Sequence, residues 1–358
     1  MGLTKAVWCF HITFTVNHNK SRMVDIGIFS IFYYTRRKNT KLGVKIMRHI
    51  VVITIFTFVL VLTGCSILDL GNDENTNKEN HDTNPGENYE DAFYVPVQEY
   101  KGENFALHPD GDRSLAVIEE EREKVVEEVR KYFQEKYHTD VTVHNIVGTE
   151  NGVSAFVEAK GEPYFNSIAV IPVDLEKQQV KYDQFTTIEG RVENGIKGGL
   201  YVMAYPEEFE KLDQLLEKFA EEHPVTTRNQ EVVTHVTGNG YSTPYYFLTP
   251  LGSVFAELYD KYTEQPDMTG EEARQFLEDN PFDLDHMVIP IKFFMEEAGA
   301  EPDESILEEL VTLIEEAEGI PRGSYTIYLH DNNINSRTGS GNKDSTLIYG
   351  QFEGIIKE

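Results

Sequence analysis

Cysteine is nearly missing from this chain: its 358 residues include two, Cys9 and Cys65. Cys65 closes a long N-terminal apolar segment, so the chain beyond it offers no disulfide, no Cys-based metal site and no thiol nucleophile. Positive charge is also scarce, with 32 Lys and Arg against 61 Asp and Glu. Nine of the basic residues but one acidic residue fall in 1–64, which leaves 23 basic against 60 acidic side chains from Cys65 onward, a formal charge near −37. A field of that sign repels phosphate backbones and excludes nucleic acid as a partner. It equally repels an anionic membrane surface, so attachment to a bilayer needs a separate device. No apolar run reaches the roughly 20 residues of a transmembrane helix. Beyond Cys65 no two histidines stand at the i, i+3 or i+4 spacing of a helical zinc site, and there is neither a Ser nucleophile elbow nor a phosphate-cradling Gly loop. No cofactor is expected.

What is present begins with the 13 residues Ile50 to Leu62, apolar apart from Thr54 and Thr57, preceded by Met47-Arg48-His49 and followed by Thr63-Gly64-Cys65. A basic start, an apolar stretch too short to span a bilayer and small residues before a Cys are the parts of an export signal. Leu62-Thr63-Gly64-Cys65 resembles the lipobox of bacterial lipoproteins. That resemblance implies cleavage before Cys65 by signal peptidase II and modification of Cys65 with S-diacylglycerol and N-palmitoyl groups. The lipid bilayer is then the first expected partner, reached through Cys65, with the body on the extracytoplasmic face of the cell membrane. Residues 1–46 sit awkwardly ahead of such a signal peptide (47–64), and translation is expected to start at Met47. Residues 65–92 are rich in Asn, Asp, Glu and Gly. They bury too little apolar surface to offset their ordering entropy and read as a disordered acidic tether. Residues 93–358 read as a single globular domain.

Within it, Leu115, Ile118, Val125, Val129, Phe133 and Tyr137 recur at helical spacing over 114–137, with glutamates on the other face. Alternating β-branched stretches follow at Val141–Val147, Val153–Ala159, Tyr164–Val173 and Val180–Phe185, punctuated by Asn151-Gly152 and Gly161-Glu162-Pro163. Short links between them imply an antiparallel arrangement. Glu189–Ala204 is expected to be helical, with Gly195, Gly198 and Gly199 admitting a close neighbour. Further helices are expected after Pro206 and at 229–237, 252–263, 270–279 and 303–317, the last capped by Asp303. Tyr325–Leu329 and Thr346–Ile356 read as closing strands. The class is α+β: an N-terminal helix packed on an antiparallel meander of three to four strands, then a mainly helical half and closing C-terminal strands.

The segments YVPVQEYKGENFAL (94–107), VHNIVG (143–148), KGEP (160–163), GYSTPYYF (240–247) and HDNNIN (330–335), together with the lipobox and the acidic tether, carry a resemblance. The chain resembles an uncharacterised family of Gram-positive lipoproteins, the domain of unknown function numbered 1672. The resemblance implies lipidation and an envelope location, and brings no activity or site residues with it.

Three constellations merit weighing. Ser340-Gly341-Asn342-Lys343 matches the Ser-x-x-Lys spacing of penicillin-recognising enzymes, but it lies in a Gly- and Asn-rich loop instead of opening a helix, and reads as a loop. Asp331, Asn333 and Asn335 supply the opening of a calcium loop, yet Ser336 stands where Gly is needed and Asn342 where a bidentate Glu is needed, which favours an Asn-rich turn. Tyr241, Tyr245 and Tyr246 crowd between turn residues. Facing solvent, they would form a stacking surface for sugar or peptide; with Tyr245 and Phe247 turned inward on a strand, they are core. The expected function is a non-catalytic interaction or structural module of the envelope, with an envelope protein or cell-wall partner. The alternatives are a wall-acting hydrolase or transferase with an acidic cleft, and a solute-binding lipoprotein.

Overall fold

A computed structural model describes residues 93–358 apart from Asn239. Cys65, the lipobox residues Leu62, Thr63 and Gly64, the signal peptide and the tether lie outside the described residues.

Strand β1 (Tyr94–Pro96) precedes helices α1 (Gly111–Ile118) and α2 (Arg122–Tyr137). The helix expected over 114–137 is broken by a 3-10 turn at Glu119–Glu121. Val125, Val129, Phe133 and Tyr137 form the buried stripe of α2, which ends on His138 in the left-handed conformation, its N–H donating to the Phe133 carbonyl. Strands β2 (Val141–Thr149), β3 (Gly152–Ala159) and β4 (Asn166–Asp174) are the antiparallel meander. In place of one fourth strand over Val180–Phe185, the edge of β4 holds two short pieces, β5 (Gln179–Val180) and β6 (Thr186–Thr187), with a 3-10 turn between them. α1 crosses β2 backbone to backbone: a Cβ on Gly148 would run into the Gly111 carbonyl, and only glycine permits that approach.

The middle of the chain is helical, as expected: α3 (Arg191–Ala204), α4 (Pro206–Glu222), the short strand β7 (Val225–Thr226) and α5 (Gln230–Val236). Then come the short strand β8 (Thr249–Pro250), α6 (Gly252–Glu264) and α7 (Gly270–Asp279). The glycines of α3 do admit a neighbour, since a Cβ at Gly199 would lie 2.6 Å from the Tyr164 carbonyl oxygen. A full capping box, Thr269 with Glu272, starts α7.

A second sheet follows, built on the expected closing strands and on a central strand that the sequence pattern does not announce. Its centre is β9 (Met287–Met295), joined through α8 (Glu304–Glu316) to β10 (Gly323–His330), which lies parallel to it over seven register pairs. Asp303 caps α8 as expected, accepting from the Ser305 N–H at 2.8 Å. β11 (Asn333–Asn335) pairs with β1, while the stretch expected as one strand over Thr346–Ile356 is two, β12 (Leu347–Tyr349) and β13 (Ile355–Lys357), both antiparallel to β10. Between them Gly350 takes a positive φ of 79°, a turn conformation that breaks a strand. The fold is α+β.

The main core packs Ile289, Ile291 and Phe293 of β9 and Tyr325, Ile327 and Leu329 of β10 with Tyr201, Leu212, Leu216, Phe255 and Ile314 of the helices. Burying each such side chain contributes about 1.5–3 kcal/mol. α5 contacts β2 and β3, while its Val232 joins Phe294 of β9 and Ile334 of β11 in a second, smaller cluster. It thereby ties the meander to the second sheet.

Candidate functional site

Alternation along β9 turns Met287, Ile289, Ile291, Phe293 and Met295 into the main core and leaves Val288, Pro290, Lys292 and Phe294 on the opposite face. Register with β10 places Ser324, Thr326, Tyr328 and His330 on that same face, with Tyr328 opposite Lys292 and His330 opposite Phe294. The other edge of β9 changes partner part-way along. β7 pairs at Val225↔Met295 and Thr226↔Phe294; farther along, Tyr246 bridges Ile291, β8 pairs at Thr249↔Val288, and the Lys292 N–H donates to the Tyr245 carbonyl at 2.7 Å. Lys292 sits at this change of partner. Arg228 follows β7 by two residues, and its charge acts on Lys292.

The result is a cationic niche. The Lys292 ammonium stands 5.1 Å from the centre of the Phe247 ring and 5.3 Å from that of Tyr328, and among the described residues it meets no carboxylate. Arg228 donates from Nη1 to the Thr237 hydroxyl at 3.5 Å, the outer limit of a hydrogen bond. Its Nε is buried without a partner. Burial, and then the Arg228 charge, pushes the Lys292 ammonium down to about 8; burial alone draws Arg228 down to about 10. His330 is 1% exposed and is held down at about 3, first by burial and then by the charges of Lys292, Arg228 and Lys343. It therefore stays a neutral imidazole, with Nδ1 3.1 Å from the Thr346 hydroxyl and its ring against Phe294. Arg228, Lys292, Phe247 and Tyr328 each keep part of their surface exposed. A guanidinium fork and an ammonium held together without a counter-charge have one evident chemical use, which is to hold an anion.

The residues singled out from the sequence fall elsewhere. Asp331 is engaged by Lys343, whose Nζ donates to both of its carboxylate oxygens, at 2.6 and 2.7 Å. Asn333 and Asn335 lie in β11, and the Asn335 side chain accepts from the Arg337 N–H. The same ion pair answers the Ser-x-x-Lys reading, since Lys343 is engaged with Asp331 while the Ser340 hydroxyl accepts from the Asn342 N–H. The aromatic run has the opposite parity to the one expected. Tyr246 and Leu248 are the buried residues, whereas Tyr241, Tyr245 and Phe247 are half-buried, because the bridge Tyr246↔Ile291 puts even numbers on the core side. Tyr246 is thus removed from any stacking surface, and Phe247 contributes to the niche instead. Sequence patterns alone do not single out Lys292 or Arg228. The available signal is a lone Lys within the apolar run 287–295.

Two other groupings are weaker. His144, the extra residue of a bulge in β2, reaches Glu158 at 2.7 Å, and Tyr164 donates to the other Glu158 oxygen at 2.9 Å. A groove of about 540 Å³ between α4 and α8 has Leu215, Phe219 and Leu313 in its wall and Glu222, Glu308, Glu309 and Glu316 along it. It is open to solvent and presents no converging buried carboxylates.

The chain is an α+β domain that carries a cationic niche beside β9. The family model "Protein of unknown function (DUF1672)" matches residues 87–357, and the chain belongs to that family. Its fold is similar to the crystal structure of a DUF1672 family protein from Staphylococcus aureus, with 16% identity and a TM-score of 0.60, covering 74% of this chain and 98% of that one. At such identity the likeness concerns the fold alone. A comparison with curated proteins gives no match.

Proposed function

We propose that this chain is a lipid-anchored, extracytoplasmic binding module of a Gram-positive envelope, non-catalytic, with the niche of Arg228 and Lys292 as its recognition point. The Cys65 lipid holds it in the bilayer, residues 65–92 space it from the surface, and the folded body meets an envelope protein or cell-wall component. The observation that carries this reading is the pair of cations left without a carboxylate in a domain where acidic side chains outnumber basic ones by more than two to one. A purely structural role would favour apolar side chains at those positions, because an unpaired buried charge costs stability. The test has two parts. Labelled palmitate should enter the wild-type chain and not Cys65→Ala. Envelope components cross-linked to the membrane-solubilised wild-type protein should be lost from an Arg228→Gln/Lys292→Gln form; identical cross-links from both would overturn the reading.

A further inference from the structure

Resting on the reading of the domain as a binding module, we propose that the niche takes a phosphate group, bridged between the Arg228 guanidinium and the Lys292 ammonium. Four observations converge on this class of ligand. Nε of Arg228 is buried and unpartnered, so a donor is already dehydrated and its cost is recovered when an oxyanion accepts from it. The Lys292 ammonium has aromatic faces around it, Phe247 and Tyr328, and no hydrogen-bond acceptor among the described residues; these faces leave its N–H donors free for an incoming oxygen. His330 remains neutral beside them and Lys343 is already satisfied by Asp331, so the free charge of the niche is two, from Arg228 and Lys292. That matches a phosphate of one to two negative charges better than a carboxylate of one, and the fork-plus-point-charge pair suits an oxyanion with three or four oxygens. Finally, Arg228, Lys292, Phe247 and Tyr328 each keep part of their surface exposed, so the niche lies at the surface, where an anion can approach it.

The chain as a whole is strongly acidic, so a phosphate must come close before the niche attracts it. This favours a ligand delivered on a neighbouring envelope component over one gathered from afar.

The experiment uses the lipidated protein solubilised from membranes and titrates inorganic phosphate by calorimetry, with acetate and chloride as controls. Phosphate is expected to bind with a one-to-one stoichiometry and at least tenfold more tightly than acetate. Arg228→Gln and Lys292→Gln should each weaken it at least tenfold and together abolish it. Lys292→Arg should retain it, and Lys218→Gln, on the exposed face of α4, should leave it unchanged; both guard against a folding defect as the cause of loss. A soluble glycerol phosphate oligomer and phosphatidylglycerol vesicles then separate a wall-polymer source from a lipid headgroup, and dependence on Arg228 and Lys292 in either arm supports the proposal. Absence of phosphate binding, equal affinity for acetate, or binding that survives in the double variant overturns it. If phosphate fails while the envelope cross-links still depend on Arg228 and Lys292, the phosphate assignment falls and the binding-module reading stands; if the cross-links also ignore the two residues, both fall.

Discussion

Replacing Lys292 by Met should make the unliganded protein more stable, an unusual outcome for a change inside a sheet. Lys292 falls from an ordinary lysine value of 10.5 to about 8 through burial and the Arg228 charge. A displacement of that size corresponds to about 3 kcal/mol of unfavourable free energy in the folded state at neutral pH, reduced to about 2 once the partly exposed ammonium is credited with solvent screening. Met matches the length and flexibility of the lysine stem and can stay between Phe247 and Tyr328. Losing the two cation–π contacts returns about 0.5–1 kcal/mol. The net expectation is a gain of about 1–2 kcal/mol at pH 7. Its pH dependence has a definite sign. Because the folded-state value lies below the unfolded one, the unfolded chain binds the extra proton between pH 8 and 10.5. The penalty is therefore complete below about pH 8 and fades as the pH rises toward 10.5. The titratable groups beside Lys292 are Arg228, His330, which is neutral throughout that window, and Tyr328. Urea denaturation of the two proteins at pH 7.0 and 9.5, in buffer free of phosphate, reads both quantities. A Met variant less stable than wild type at pH 7, or an advantage that widens with pH, would refute the picture of an uncompensated cation. Added phosphate should close the gap by stabilising the wild type alone.

His330 shifts the other end of the pH scale. Held at about 3 against 6.5 in the unfolded chain, it costs stability as the pH falls below 6.5, by about 1.4 kcal/mol per unit from this one residue; His330→Gln should flatten that limb in acid denaturation followed by circular dichroism. Gly148→Ala should destabilise by about 3 kcal/mol, since neither the α1 nor the β2 backbone can yield to the added methyl group, and thermal unfolding would show it. Glu158→Ala should cost about 1–3 kcal/mol by stranding the Tyr164 hydroxyl and His144, whereas Glu158→Gln, which still accepts from Tyr164, should cost less in the same assay. Asp331→Asn should cost about 2 kcal/mol, because Lys343 and Asp331 are mostly buried as a pair, and it would show no dependence on calcium in the titrated melting temperature.

What the sequence made legible divides along physical lines. Where one periodicity governs a segment, the element could be read: the stripe Val125, Val129, Phe133, Tyr137 of α2, the strands β2 and β3, and the small residues of α3 all appear in the fold as expected. β9 escaped because two signals conflict within it. Its run Met-Val-Ile-Pro-Ile-Lys-Phe-Phe-Met is too apolar to alternate and carries a Pro that argues against a central strand. This central strand accommodates Pro290 nonetheless, on the side away from β10, between the ladder pairs of β8 and the bridge at Ile291. The parity of the aromatic run was likewise undecidable locally, since it is set by a bridge to Ile291 more than 40 positions away.

The niche lies wholly in that non-local category. Arg228 and Lys292 are 64 positions apart and meet through the partner exchange along β9. A single lysine within an apolar strand was nonetheless a readable anomaly. Nothing in the packing requires a charge there, and the fold supplies a second cation in place of a compensating carboxylate. Repeating the charge imbalance across the sheet edge is costly to stability and useful for holding an anion. The Lys292→Met measurement therefore bears on both claims at once, because a position kept for its ligand should become more stable and less able to bind when the charge is removed.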